Sequence, residues 1–270
     1  LVSGIAQNKL GATGTSFPIV GIGTSAGGLD AFTRLLQRVP TDTGMAFVFV
    51  QHLAAQHQSM LASLLSRLTA MPVREVDSET PVEPNHVYVI QPNTLLSVDQ
   101  GVLRLERRPE GVPRPIDWFF RSLAVDRKSL AIGIVLSGAD SDGAMGLQAI
   151  RAEGGIAIVQ SEGSAKYGQM PSAAIRAGTV DLILPPEEIG GELSGISQYA
   201  GQAGDDSADG HGADASEDEQ LKKVFALLRS SSGIDFGGYR RGTLLRRMKR
   251  RMVISRSDGL AGYTSLLESN

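Results

Sequence analysis

Apolar and polar positions alternate on two length scales between Pro18 and Ser197. PIVGI (18–22), MAFVFV (45–50), VYVI (87–90), AIGIVL (131–136), IAIV (156–159) and VDLIL (180–184) are continuous apolar runs of strand length. Runs without polar interruption predict strands covered on both faces, as in parallel sheets. Segments of helical period lie between and after them, at 28–38, 58–69, 116–126, 143–152, 171–177 and 186–197. The alternation predicts an α/β fold: a doubly wound, mostly parallel sheet flanked by helices. TLLSV (94–98) and VLRLE (102–106), split by Asp99-Gln100-Gly101, read as a β-hairpin inserted in that sheet.

The pattern changes at both ends. Residues 1–16 have no periodicity and read as a flexible leader. Residues 199–216, YAGQAGDDSADGHGADAS, hold almost nothing to bury and read as a linker. Three helical patterns follow: 217–233, with acids first, a base near its end and Gly233 as a stop; the very basic 237–256; and 259–270. The expected organisation is a leader (1–16), an α/β domain (17–198), an acidic linker (199–216) and a small all-α C-terminal domain (217–270).

Composition narrows the chemistry. Of 270 residues 41% are hydrophobic, enough for a core, and the absence of Cys excludes disulfides and thiolate chemistry. No apolar run is long enough to span a bilayer, and no charged-then-apolar leader precedes the first strand. A cytoplasmic protein is expected, and Leu1 in place of Met points to a piece of a longer chain. The net charge of −3 conceals segregation: residues 221–256 carry eleven bases against one acid, Asp235, while 205–219 carry seven acids and no base.

The first strand runs into GIGTSAGG (21–28), which supports two readings. Gly21 to Ala26 fits the G-x-G-x-x-A dinucleotide fingerprint; Gly23 to Gly27 fits the G-x-S-x-G nucleophile elbow. A dinucleotide site expects an acid at the end of the second strand, but MAFVFV is followed by Gln51-His52. A hydroxyl and an imidazole at neighbouring strand ends favour nucleophilic hydrolysis by Ser25 and His52. The other histidines have blander readings: His57 a cap or surface group, His86 a turn residue, His211 a linker residue. A third member, to orient the imidazole, could be Asp140 or Asp142, in the loop after AIGIVL. Asp140 could equally be a turn residue, and Asp142 the cap of the following helix.

GIGTSAGGLDAF, FVFVQH, VEPNHVYVIQPN, RPIDWFFRSLA, GIVLSGADSDGAMGLQAI and QMPSAAI together resemble the catalytic domain of CheB-type chemoreceptor methylesterases, over about residues 17–198. The resemblance implies a Ser-His-Asp triad of Ser25, His52 and Asp142, and so selects Asp142 over Asp140. It implies hydrolysis of glutamate methyl esters on cytoplasmic chemoreceptor helices, with glutamine deamidation as a further activity and no metal or cofactor. Oxyanion donors are expected from Ala26, Gly27 and the loop at Ala139. The sequence departs from the family at Ala26, where many members carry Thr, and at Asp140-Ser141. The receiver domain that usually precedes such domains is not in this sequence.

The last segment, from LLRSSSGIDF to the end, is similar to the all-helical N-terminal domain of CheR-type methyltransferases. The similarity implies a CheB/CheR fusion, and no methyl transfer is expected from these residues alone. Arg246, Arg247, Lys249, Arg250 and Arg251 are the expected contacts to acidic receptor helices. A competing reading makes the chain a docking module that holds acidic signalling partners through this basic helix. A nucleic-acid partner is not expected, since no recognised module and few aromatics surround the charges.

Overall fold

The structure is a computed structural model that describes residues 17–51, 61–107, 114–203, 215–233 and 241–269. Seven strands form one parallel sheet: β1 (Ile19–Thr24), β2 (Ala46–Gln51), β3 (Val73–Glu75), β5 (Val87–Val89), β8 (Ala131–Val135), β9 (Ile156–Gln160) and β10 (Leu182–Leu184). Their order is β10-β9-β8-β1-β2-β5-β3. The chain builds one side from β1 outward, then returns to lay β8, β9 and β10 on the other. The direction of winding therefore reverses between β1 and β8, and open α/β sheets place their sites at the carboxyl ends of strands at such a point.

Every residue of β1 is buried, and its side chains divide between two core layers. Val20, Ile22, Phe47 and Phe49 pack under α1 (Gly28–Leu36) and α6 (Pro186–Ala203). Ile19, Val48 and Val50 pack on the opposite face with α3 (Pro115–Arg127), α4 (Ala144–Ala152) and α5 (Gln169–Arg176). Two covered faces explain the uninterrupted apolar runs. The amino end of α3 comes very close to the sheet: a Cβ on Gly23 would stand 2.3 Å from Ile116 Cγ2. The glycine lets the helix start directly over the end of β1.

The hairpin forms, as β6 (Thr94–Asp99) and β7 (Val102–Arg107), but it is not inserted in the parallel sheet. It pairs with β4 (Glu79–Pro81) in a separate three-stranded antiparallel sheet. The three-residue strands β3 and β4 escaped the sequence reading because VRE and ETP carry no apolar run. Of the helix expected at 58–69, the described part is α2 (Leu61–Leu65), followed by a turn; residues 58–60 lie outside the described residues.

The expected linker is partly helical. Helix α6 continues to Ala203 and α7 begins at Ala215, so 199–203, 215 and 216 belong to helices; 204–214 lie outside the described residues. Helix α7 (Ala215–Ser232) ends at Gly233, at φ +70°, in the left-handed conformation expected of a stop. With α8 (Arg241–Ile254) and α9 (Gly259–Ser269) it encloses a small core of Leu221, Val224, Met248 and Tyr263. Among the described residues no helix is long and apolar enough to cross a membrane.

Candidate active site

Strand β1 ends at Thr24, and Ser25 follows, half-buried at the carboxyl rim. The Ser25 N–H donates to the Ser137 carbonyl (3.0 Å), which extends the β1–β8 pairing by one step. Gly27 then turns the chain into α1 with φ +73°. Ala26 is exposed, and the amino end of α1 directs its first N–H groups toward this turn.

Ser137, missed in the sequence, holds the turn from the other side. Its hydroxyl donates to the Ala26 carbonyl (2.9 Å) and accepts from the Tyr167 N–H (3.0 Å), while its own N–H donates to Gln160 Oε1 (2.9 Å). Next to it, a Cβ on Gly138 would lie 1.9 Å from Met170 Sδ and 3.0 Å from Ser25 Cβ. The loop after β8 thus touches the Ser25 loop directly. Gly138→Ala is expected to lower stability by about 1–3 kcal/mol through overpacking and to displace Ser25. Urea unfolding and ester turnover, measured on the same preparation, check both effects.

That loop carries both candidate acids. Asp140 is exposed, and its Oδ1 accepts from the Asp142 N–H (2.8 Å). Asp142 is buried, and its carboxylate accepts from the N–H groups of Ile116, Asp117 and Gly143, each at 2.9 Å. The sequence offered Asp142 as a cap for the helix that follows it. The structure instead sets its carboxylate on the amino end of α3. Asp117, in the first turn of α3, reaches back to cap α4: its Oδ1 accepts from Gly143 (3.0 Å) and Gly146 (2.7 Å). Two helix N-termini exchange acidic caps, and each carboxylate is satisfied by N–H groups and by the positive end of a helix. Arg114 closes the cluster, with Nη1 3.2 Å from Asp117 Oδ2 and Nη2 3.2 Å from Ser141 Oγ.

Asp117 is the buried carboxylate that shares this site with Asp142. Burial pushes the Asp117 carboxyl above its ordinary value; the Gly146 N–H opposes the rise, and the Asp142 charge adds to it. A raised folded-state value means that the folded protein holds this proton more tightly than the unfolded chain. The associated stability is present at low pH and is lost as pH rises through the folded value. Asp117→Asn keeps an acceptor for Gly143 and Gly146 and removes the titration. Its stability relative to the parent is expected to improve from about pH 4 to about pH 7, read as urea midpoints.

The last described residue of β2 is Gln51, whose Cα pairs with Thr24 in the parallel register. His52 and His57 lie outside the described residues, as does His211. His86 occupies a turn before β5, with Nδ1 2.9 Å from the Pro84 carbonyl. The structure therefore brings the Ser25 and Asp142 loops together at the β1/β8 rim and sets Gln51 of β2 beside Thr24. Ala139 is exposed in the same loop as Asp142.

The basic helix lies elsewhere. Helix α8 packs against α6 and the amino-terminal rim, where a cavity of about 20 Å³ is lined by Pro18, Ile132, Ile156, Ile196, Arg250 and Val253 among others. Arg250, expected to face a partner, is buried: its Nε lies 3.5 Å from Asp181 Oδ1 and its Nη1 donates to the Arg151 carbonyl (3.2 Å). Arg256 adds an ion pair with Glu192 of α6 (2.7 Å). Lys249 is half-buried, and burial lowers its pKa. Arg247 and Arg251 are exposed; the Arg246 side chain lies outside the described set. Packing turns Arg250 inward: one face of α8 covers the amino-terminal rim of the sheet, and Arg250 falls on that face.

Comparison with known proteins matches two stretches. The family model described as CheB methylesterase matches residues 20–193, and the one described as CheR methyltransferase, all-alpha domain, matches residues 219–270. A Rhodobacter capsulatus protein, named only as an uncharacterized 104.1 kDa protein in hypE 3'region, is 35% identical over 226 residues, covering 77% of this chain and 24% of that protein. Protein-glutamate methylesterase/protein-glutamine glutaminase 2 of Burkholderia pseudomallei is 40% identical over 185 residues, covering 67% of this chain and 54% of that protein. The chain thus spans about a quarter of the first relative's length and about half of the second's. The crystal structure of the Thermotoga maritima CheB methylesterase catalytic domain superposes with a TM-score of 0.62 at 26% identity, covering 66% of this chain and 98% of that one.

Proposed function

The chain belongs to the CheB methylesterase family, and from that premise we propose that it is a serine hydrolase that removes methyl esters from glutamate side chains of chemoreceptors. The observation that carries the reading is the contact between the Ser25 loop and the Asp142 loop at the point where the sheet reverses its winding. The relatives' names supply the substrate class, and the resemblance supplies the roles.

In this reading Ser25 Oγ attacks the ester carbonyl carbon while His52 takes its proton. Asp142, held by three backbone N–H groups, orients the imidazole and stabilises its charged form. N–H groups at Ala26, Gly27 and the Ala139 loop stabilise the oxyanion. The C–O bond to the methoxy group breaks, the imidazolium protonates the departing oxygen, and methanol leaves. Water, deprotonated by His52, then cleaves the glutamyl–Ser25 ester and restores the serine. With a glutamine substrate the same cycle releases ammonia. Every step uses groups of the chain and water, so the reading assigns no cofactor.

Residues 17–198 form the hydrolase unit in this proposal and 217–270 the methyltransferase-type helical unit. The direct test is methanol release from a chemoreceptor cytoplasmic fragment carrying methyl-esterified glutamates. The expected result is catalytic, time-dependent release. No release above the enzyme-free control overturns the reading.

A further inference from the structure

If the chain hydrolyses esters on acidic receptor helices, something at the Ser25 rim must attract acids. The scissile group itself offers no charge, because esterification neutralises it. Neighbouring carboxylates on the substrate are therefore the groups a cation can read. The basic helix α8 does not serve this end: it packs at the amino-terminal rim, opposite Ser25, with Arg250 turned inward.

Among the described residues, a few charges lie on the rim that carries Ser25. Arg114 is engaged with Asp117 and Ser141. Asp140 directs one oxygen to the Asp142 N–H. Glu162 is exposed at the start of the loop that follows β9. Four residues later Lys166 is exposed, with Nζ 5.9 Å from the centre of the Tyr167 ring, and among the described residues it forms no ion pair. This pair sits on the nucleophile's own turn. A Cβ on Gly27 would stand 3.0 Å from Lys166 Cβ and 3.2 Å from Tyr167 Cδ2. The backbone fixes the pair there, since the Tyr167 N–H donates to Ser137 Oγ and the Tyr167 carbonyl accepts from the Gly138 N–H (2.9 Å).

We propose that Lys166, seated with Tyr167 against the Gly27 turn, is a specificity-determining residue that draws acidic peptide flanking the scissile ester onto the Ser25 rim. The inference rests on the hydrolase reading above. Tyr167 limits where the ammonium can go, because the ring face holds a cation beside it. The contribution is to encounter and binding, so it is expected in KM rather than in kcat and to weaken with salt.

The test uses the full chain and two peptides with the same glutamate methyl ester, one flanked by glutamates and one by glutamines. The parent protein is expected to prefer the acidic peptide by about tenfold in kcat/KM at low ionic strength, less at high salt. Lys166→Glu is expected to abolish or invert that preference, and Lys166→Met to reduce it, with the change in KM. A Lys166→Glu protein that keeps the parent preference overturns the inference while leaving the hydrolase reading intact. Absence of methanol from both peptides with the parent protein removes the hydrolase reading, and this inference with it.

Discussion

Ser25→Ala is expected to lower methanol release by roughly 10⁴-fold or more while leaving thermal unfolding close to that of the parent. The change removes one oxygen at a half-buried rim position. The contacts that shape the turn are made by other atoms: the Ser25 N–H to the Ser137 carbonyl, the Ser137 hydroxyl to the Ala26 carbonyl, and the Gly138 backbone facing Ser25 Cβ. Alanine keeps every one of them. Folding and chemistry therefore separate at this position, so loss of turnover is not a by-product of unfolding. A variant that still turns over at a tenth of the parent rate would remove Ser25 as nucleophile. Mass spectrometry after treatment with a serine-directed phosphonate adds a second readout: the parent should carry the adduct on Ser25 and the variant no adduct.

Asp142→Asn is expected to damage both properties. Oδ2 of Asp142 accepts from Ile116, and Oδ1 from Asp117 and Gly143, all within a buried site. An asparagine has one acceptor oxygen and one donor nitrogen, so in either orientation its NH₂ faces a backbone N–H. An unsatisfied buried donor costs about 1–3 kcal/mol. The lost charge at the amino end of α3 adds about 0.3–1 kcal/mol. If Asp142 also orients His52, turnover falls by roughly 10⁴-fold beyond any loss of folded protein. Asp140→Asn is the contrasting variant: its amide oxygen can still accept from the Asp142 N–H, and most of the activity should remain. Urea midpoints and methanol release on the three proteins separate the two acids. An Asp140→Asn loss equal to that of Asp142→Asn would show that the wrong carboxylate has been placed in the triad.

These two expectations differ because of where each group gets its support. Ser25 is held through its backbone, which leaves its hydroxyl out of the bonds that shape the turn. Asp142 is held through its side chain, so its structural role and its proposed role in the triad share the same two oxygens. The capping exchange between Asp142 and Asp117 makes α3 and α4 depend on each other. Any substitution at either acid reaches the surroundings of Ser25 through Ile116, which packs against Gly23 and Gly143.

Much of the architecture was legible in the order of residues alone. A strand buried on both faces needs an unbroken apolar run, and a helix on a sheet needs an apolar stripe, so the α/β alternation and six of the seven parallel strands could be read locally. The Gly-rich turn after β1 and the acid-bearing loop after β8 were legible for the same reason: tight turns at strand ends have their own chemistry. Tertiary structure alone decided which sheet the hairpin joins, since pairing partners are chosen by long-range hydrogen bonds that leave no mark in a polar strand such as ETP. It alone decided that Asp142 caps α3 and Asp117 caps α4, because these contacts cross 25 to 29 residues of chain. It alone turned Arg250 inward to Asp181 and set the helical unit at the rim opposite Ser25. Local sequence specifies what an element must bury; which neighbour buries it, and which side chain is taken up in doing so, follows only when elements distant in the chain compete for the same surface.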